Sequence, residues 1–171
     1  RTSVSGQTKE RPTPSVLSTM AESPTPVVIT AVDQSDDRRH VLDVALAEAD
    51  ALGASLIAVH CIPNVESLAG SYVSGGNSAE ALHAEMTERG RKLTEDLNQE
   101  FGKGKVPARA EMCFGNPWSE IIGCAVSNQA VRIVLGAHDA AGAKVENRVF
   151  GSTAERILRQ APCPILVVPA E

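Results

Sequence analysis

The chain alternates between short runs of branched apolar residues and longer stretches whose apolar positions recur every three or four residues. The first run, Val27 to Val32, ends in Asp33 and predicts a strand buried on both faces. Ser35 and Asp36 supply helix-cap chemistry, and Val41, Leu42, Ala45, Leu46, Ala49 and Leu52 follow at helical spacing until Gly53 stops them. Ser55 to Ile62 predicts a second buried strand, and Pro63 to Asn77 a Gly/Ser/Asn-rich loop. A helix over Ser78 to Phe101 carries Leu82, Met86, Leu93, Leu97 and Phe101 on one stripe. Val106 to Phe114 is more polar and alternates, as an edge strand does.

In the second half, Asn116 and Pro117 open a helix whose expected buried face is Ile121, Ile122, Ala125 and Val126. Val131 to Leu135 is a fourth strand, ended by Gly136. Ser152 is the expected cap of a fourth major helix, with Glu155 completing a capping box, and Ile165 to Val168 is the last strand. Strands alternating with helices require right-handed crossovers between parallel neighbours. The fold class is therefore α/β, a doubly wound five-stranded parallel sheet of the Rossmann-like or flavodoxin-like kind. Ligands of such sheets bind beyond the carboxyl ends of the strands, where strand order reverses. That rule directs attention to Asp33, the end of the second strand and the glycine-bearing turns.

Composition narrows the functional classes. At 171 residues, 43% hydrophobic and 22% charged, the chain has the size of one ordinary domain. A net charge of −5 argues against sequence-independent nucleic-acid binding, which needs clustered cations. The longest apolar runs fall far short of the roughly 20 residues that cross a membrane. Cys61, Cys113, Cys124 and Cys163 are widely spaced without a Cys-x-x-Cys, so each reads as a reduced, small hydrophobe of a cytoplasmic protein, with no metal site. Residues 1–25 hold thirteen Ser, Thr or Pro and few apolar anchors, and read as a disordered extension before a domain over 26–171.

Four segments resemble the universal stress protein family: Val28 to Ser35, Leu56 to Pro63, Gly115-Asn116-Pro117, and Gly151 to Pro169 with its run Gly-Ser-Thr-Ala-Glu-Arg-Ile-Leu-Arg-Gln-Ala-Pro-Cys-Pro. The resemblance covers nearly all of the chain from Val27 onward. It implies an adenine nucleotide alpha hydrolase-like fold, a homodimer joined through the last strand, and ATP or AMP as the ligand. Asp33 is then the nucleoside contact, and Gly136, His138, Gly151, Ser152 and Thr153 are the phosphate-side residues. Glycines in such a loop let backbone N–H groups approach phosphates, and a helix N-terminus offers unpaired donors.

The nucleotide-binding members carry a Gly, two residues, Gly, nine residues, Gly pattern, from which this chain departs. Gly136-Ala-His-Asp139 puts an aspartate where the second glycine belongs, and fourteen residues separate Gly136 from Gly151 where the pattern has twelve. Taking Gly142 instead leaves eight residues before Gly151. The expectation is a stress-response regulatory protein with a degenerate nucleotide site. The alternative is an ATP or AMP sensor with a rebuilt phosphate loop, and an enzyme of the related ATP pyrophosphatase or electron-transfer groups comes last. His138, Asp139 and Glu146 lack a metal-ligand spacing. Ser74-Gly-Gly-Asn-Ser78 follows the wrong strand for a pyrophosphatase loop, and neither a Gly-x-Ser-x-Gly elbow nor a Ser-His-Asp set is visible, so no catalytic residue is assigned.

The composition of the first 25 residues makes them dispensable for folding. Truncation before Thr25 is expected to leave the thermal midpoint nearly unchanged. A fall of several degrees would show instead that the segment docks on the domain.

Overall fold

The computed structural model describes residues 24–35, 38–71, 78–137 and 151–169. Nearly all of the expected N-terminal extension lies outside them, as do Asp36, residues 72–77, and 138–150. In chain order the elements are β1 (Val27–Ala31), α1 (Arg38–Ala51), β2 (Ser55–Ile62), α2 (Val65–Ser71), α3 (Ala79–Phe101), β3 (Ala108–Phe114), α4 (Pro117–Ser127), β4 (Arg132–Gly136), α5 (Ser152–Gln160) and β5 (Ile165–Val168).

The five strands form one sheet in the order β3-β2-β1-β4-β5, with every neighbouring pair parallel. This is the doubly wound α/β architecture expected from the pattern. Alternate strand residues serve opposite faces. Val28, Leu56, Ala58 and Val134 meet α1 and α3 through Val41, Leu42, Ala45, Leu93 and Phe101. Ile29, Ile57, Val59, Ile133 and Leu135 meet α4 and α5 through Ile121, Ala125, Ala154 and Ile157. Fully buried side chains such as Ile29, Ile57 and Ile133 each stabilise by roughly 1.5–3 kcal/mol relative to an exposed position.

Two polar side chains support the sheet. Thr30 is wholly buried and donates its hydroxyl to the Val134 carbonyl at 3.0 Å, tying β1 to β4. Asn98 of α3 closes part of the β3 edge, accepting from the Ala110 N–H at 2.8 Å and donating to the Ala110 carbonyl at 3.0 Å. Edge groups left unpaired would otherwise offer a template for a foreign strand. Gly53, at φ 59°, makes the left-handed stop after α1 that the sequence predicts.

Several local expectations change. The stretch expected to be a loop after β2 begins with a short helix, α2, whose Leu68 is buried. Ser152 is the first helical residue of α5 and not its cap: Gly151 takes the extended cap conformation, and no side chain caps this end. The expected capping box is therefore absent, because the residue with the oxygen sits one position too late. Asn116 does hold the cap position of α4, but its side chain makes no cap bond. Val126 is 58% exposed, since a helix of this length turns only Ile121 and Ala125 fully into the core. β3 starts at Ala108, and β4 spans Arg132–Gly136 with Val131 left outside it.

Glycines discriminate where α3 and α4 are tight. A Cβ on Gly90 would stand 2.8 Å from His60 Cδ2 and 3.0 Å from both Ile62 Cδ1 and Met112 Sδ, whereas one on Gly123 meets nothing within 4 Å. Overpacking costs about 1–3 kcal/mol, and the helix-propensity gain of alanine over glycine is only about 1 kcal/mol. Gly90→Ala is thus expected to lower unfolding stability by about 1–2 kcal/mol in urea titration, while Gly123→Ala raises it by about 0.5–1 kcal/mol. A stabilised Gly90→Ala protein would contradict this packing.

Candidate functional site

A cavity of about 700 Å³ opens at the carboxyl ends of β1, β2 and β4, where the chain has crossed to opposite sides of β1. Its wall includes Asp33 beyond β1, His60 and Cys61 late in β2, Gly136 at the end of β4, and Ser152 and Thr153 at the start of α5. The crossover rule places ligands at this point in a doubly wound sheet.

Asp33 lies where the first strand delivers it. Its Oδ1 accepts from the Ser35 backbone N–H at 2.9 Å and from the Ser35 hydroxyl, so the carboxylate orders the turn while facing the cavity. Arg38 donates to the Asp33 carbonyl at 3.3 Å. The turn-forming and cavity-lining readings of Asp33 therefore coexist in one geometry.

Two residues of the wall each carry a buried polar atom that lacks a hydrogen-bond partner among the described residues. His60 is 6% exposed, and its Nδ1 lies 2.8 Å from the Val32 carbonyl, which accepts only. Nδ1 therefore carries a proton, and Nε2 is buried with no hydrogen-bond partner among the described residues. Trp118 Nε1, a donor, is likewise buried and unpartnered. Such atoms are few in folded proteins, and each calls for a water or a ligand. Arg156 holds its guanidinium carbon 5.9 Å from the Trp118 ring centre, within cation–π range.

Electrostatically the cavity favours anions. α4 and α5 both begin at its rim, and both lack a side-chain cap. Unpaired first-turn N–H groups and the positive end of the helix dipole are a recurrent setting for phosphates. Arg38, Arg89 and Arg156 line the same space. Arg89 is paired with Glu85 on the surface of α3. These groups give a locally cationic rim to a chain of net charge −5.

Of the residues singled out from sequence, Asp33, Gly136, Ser152 and Thr153 come together in the cavity wall. Gly151 is buried directly before Ser152 as the cap of α5. His138 lies outside the described residues, as do Asp139 and Glu146. Among the described residues no cluster of three or more His, Cys, Asp or Glu could hold a metal. Sequence reasoning missed His60, Trp118, Arg38 and Arg156. The lone tryptophan directly after Pro117 was the one available signal, since a large ring at the start of a helix facing a strand end is well placed to touch a ligand.

Comparison with known proteins agrees with this fold. The sequence model of the universal stress protein family matches residues 25–169. A universal stress protein of Thermus aquaticus, encoded in the 3' region of a QAH/OAS sulfhydrylase, is 32% identical over 142 residues, covering 82% of this chain and 96% of that protein. The universal stress protein UspA from Lactobacillus plantarum has a similar fold, with a TM-score of 0.67 at 20% identity over 85% of this chain and 99% of that one. The universal stress protein from Archaeoglobus fulgidus in complex with dAMP is also similar, with a TM-score of 0.56 at 20% identity over 84% of this chain and 96% of that one. With the family pattern matched from the first strand to the last and the same fold in its solved members, this chain belongs to the universal stress protein family.

Proposed function

We propose that this protein is a stress-response regulator of the cytoplasm that acts as a homodimer, and that its cavity binds adenine nucleotides mainly through the nucleoside end. One observation carries the reading: Asp33, Gly136 and the uncapped N-terminus of α5 converge on a cavity of about 700 Å³ at the β1/β4 crossover. A nucleobase presents a flat ring, which suits the Trp118 side chain in the cavity wall. A single phosphate suits the first turn of α5. The dAMP complex of the Archaeoglobus fulgidus relative supports a monophosphate of this class.

A longer phosphate chain is disfavoured by sequence. Asp139 adds a negative charge where the family pattern has glycine, and the Gly136 to Gly151 spacing is two residues longer than that pattern. The proposed role is binding and signalling, with Asp33 Oδ1 and His60 Nδ1 already engaged in local hydrogen bonds. ATP as a tight ligand is the second reading, and it requires the segment between Gly136 and Gly151 to fold a phosphate cradle of different design.

Calorimetry with AMP and with ATP and magnesium separates these readings. AMP is expected to bind more tightly than ATP. Asp139→Gly is expected to improve ATP affinity about fivefold, because removing one charge near a polyphosphate contributes roughly 1 kcal/mol. Micromolar or tighter ATP binding by the unmodified protein would refute the degenerate-site reading.

The dimer rests on β5. It is an edge strand of four residues paired only with β4 among the described residues, and Ile165, Leu166 and Val167 remain partly exposed. Short apolar edges are normally covered. Sedimentation at micromolar concentration is expected to give a dimer, and Leu166→Lys a monomer of unchanged circular dichroism. A wild-type monomer with full secondary structure would exclude pairing through this edge.

A further inference from the structure

The parallel ladder between β2 and β3 places Cys61 directly opposite Cys113. Both are half-buried free thiols, and both pack against the cluster that contains Ile121 and Ala125, so their side chains share one face of the sheet. Adjacent strands lie about 4.7–4.9 Å apart, inside the Cα separation of about 4.4–6.8 Å that a disulfide spans. Cys113 Sγ approaches the carbonyl of His60, the residue before Cys61, at 3.6 Å, and Cys61 Sγ approaches the Pro117 carbonyl at 4.0 Å.

The two thiols are electrostatically unequal. Contact with its neighbour and burial push Cys61 up from the ordinary thiol range, and the same contact holds Cys113 down. Burial and the Glu120 and Glu111 carboxylates oppose the shift at Cys113 without reversing it. Burial raises Cys124 and Cys163. Cys113 is thus the thiol most ready to ionise, and Cys61 stands beside it as a resolving thiol. Cys61 lines the cavity, and Cys113, which does not, is itself only half-buried, so a small oxidant can approach the pair from either side.

We propose that Cys61 and Cys113 are a site of reversible oxidation, forming an intrachain disulfide when the protein meets a peroxide. The Cys113 thiolate attacks one peroxide oxygen, and the O–O bond breaks. Cys113 becomes a sulfenic acid, and the departing oxygen leaves as water after taking up a proton. Cys61 then gives up its proton and attacks the Cys113 sulfur, forming the S–S bond and displacing the second oxygen as water. Two thiols lose two electrons and two protons, and one peroxide becomes two waters. A thiol reductant restores the pair by exchange. The disulfide removes the Cys61 S–H that faces the Pro117 carbonyl, immediately before Trp118, the single tryptophan of the chain. Trp118 emission therefore reports the state of the pair.

The test uses the full chain, reduced, freed of reductant and treated with hydrogen peroxide before alkylation and peptide mass spectrometry. The expected result is a linked Cys61–Cys113 peptide pair, alkylation of only Cys124 and Cys163 in the oxidised molecules, and full return of all four labels after dithiothreitol. Trp118 emission should change and recover in step, and should not do so in Cys61→Ser. That variant should instead accumulate a dimedone-labelled Cys113, approaching roughly one label per chain while the parent shows little. Alkylation of Cys61 and Cys113 after treatment, oxidation of Cys113 to the sulfinic acid with Cys61 still free, or a bond from either thiol to another cysteine would overturn the proposal.

Discussion

The central position of β1 is the constraint on which the rest depends. From it the chain crosses to β2 and β3 on one side and to β4 and β5 on the other, so the loops leaving β1 and β4 diverge and open a crevice between them. The buried Thr30 hydroxyl, donating to Val134, holds the two strands together beneath that crevice. Parallel strands all point their carboxyl ends the same way, and the crossover helices start at that end and run back to the opposite one. That is why Asp33, Gly136 and the start of α5 meet although they are distant in sequence.

The same geometry sets the electrostatics. Helices that precede a strand in this topology begin at the crevice, so α4 and α5 present their amino ends there. Neither is capped by a side chain, an arrangement that costs stability unless water or a ligand takes the free donors. Arg38 and Arg156 add positive charge, and Trp118 adds a flat apolar surface with a donor at its edge. An anionic aromatic ligand satisfies all of these features at once. Asp33 limits the charge such a ligand can carry close to β1.

How much of this was legible in the sequence follows from which forces act locally. The buried strands read clearly because Val27 to Val32 and Ser55 to Ile62 concentrate branched residues between turn signals, and burial on both faces allows little else. The start of α5 was misplaced by one residue because serine's preference for caps is statistical, whereas here the glycine before it adopts the extended cap conformation. α2 was missed because one short turn-rich helix, held by Leu68, leaves too little periodicity to detect. Asp33 and Gly136 were legible as strand ends. His60 and Trp118 were not, since an orphaned ring nitrogen exists only once the surrounding chain has buried it. The Cys61 and Cys113 pairing was equally invisible: it depends on the β2/β3 register, and two residues 52 positions apart carry no sign of it.

The cavity and the thiol pair share a wall through Cys61, so ligand occupancy and oxidation act on neighbouring atoms. Whether the cavity is a nucleoside monophosphate site is the central claim, and an amide-resolved NMR titration with AMP tests it most directly. The account predicts saturable shifts concentrated at Asp33, Ser35, Gly136, Ser152 and Thr153, together with the Trp118 indole N–H. Saturating AMP that moves none of these signals, or that moves only residues away from the β1/β4 crossover, would contradict it.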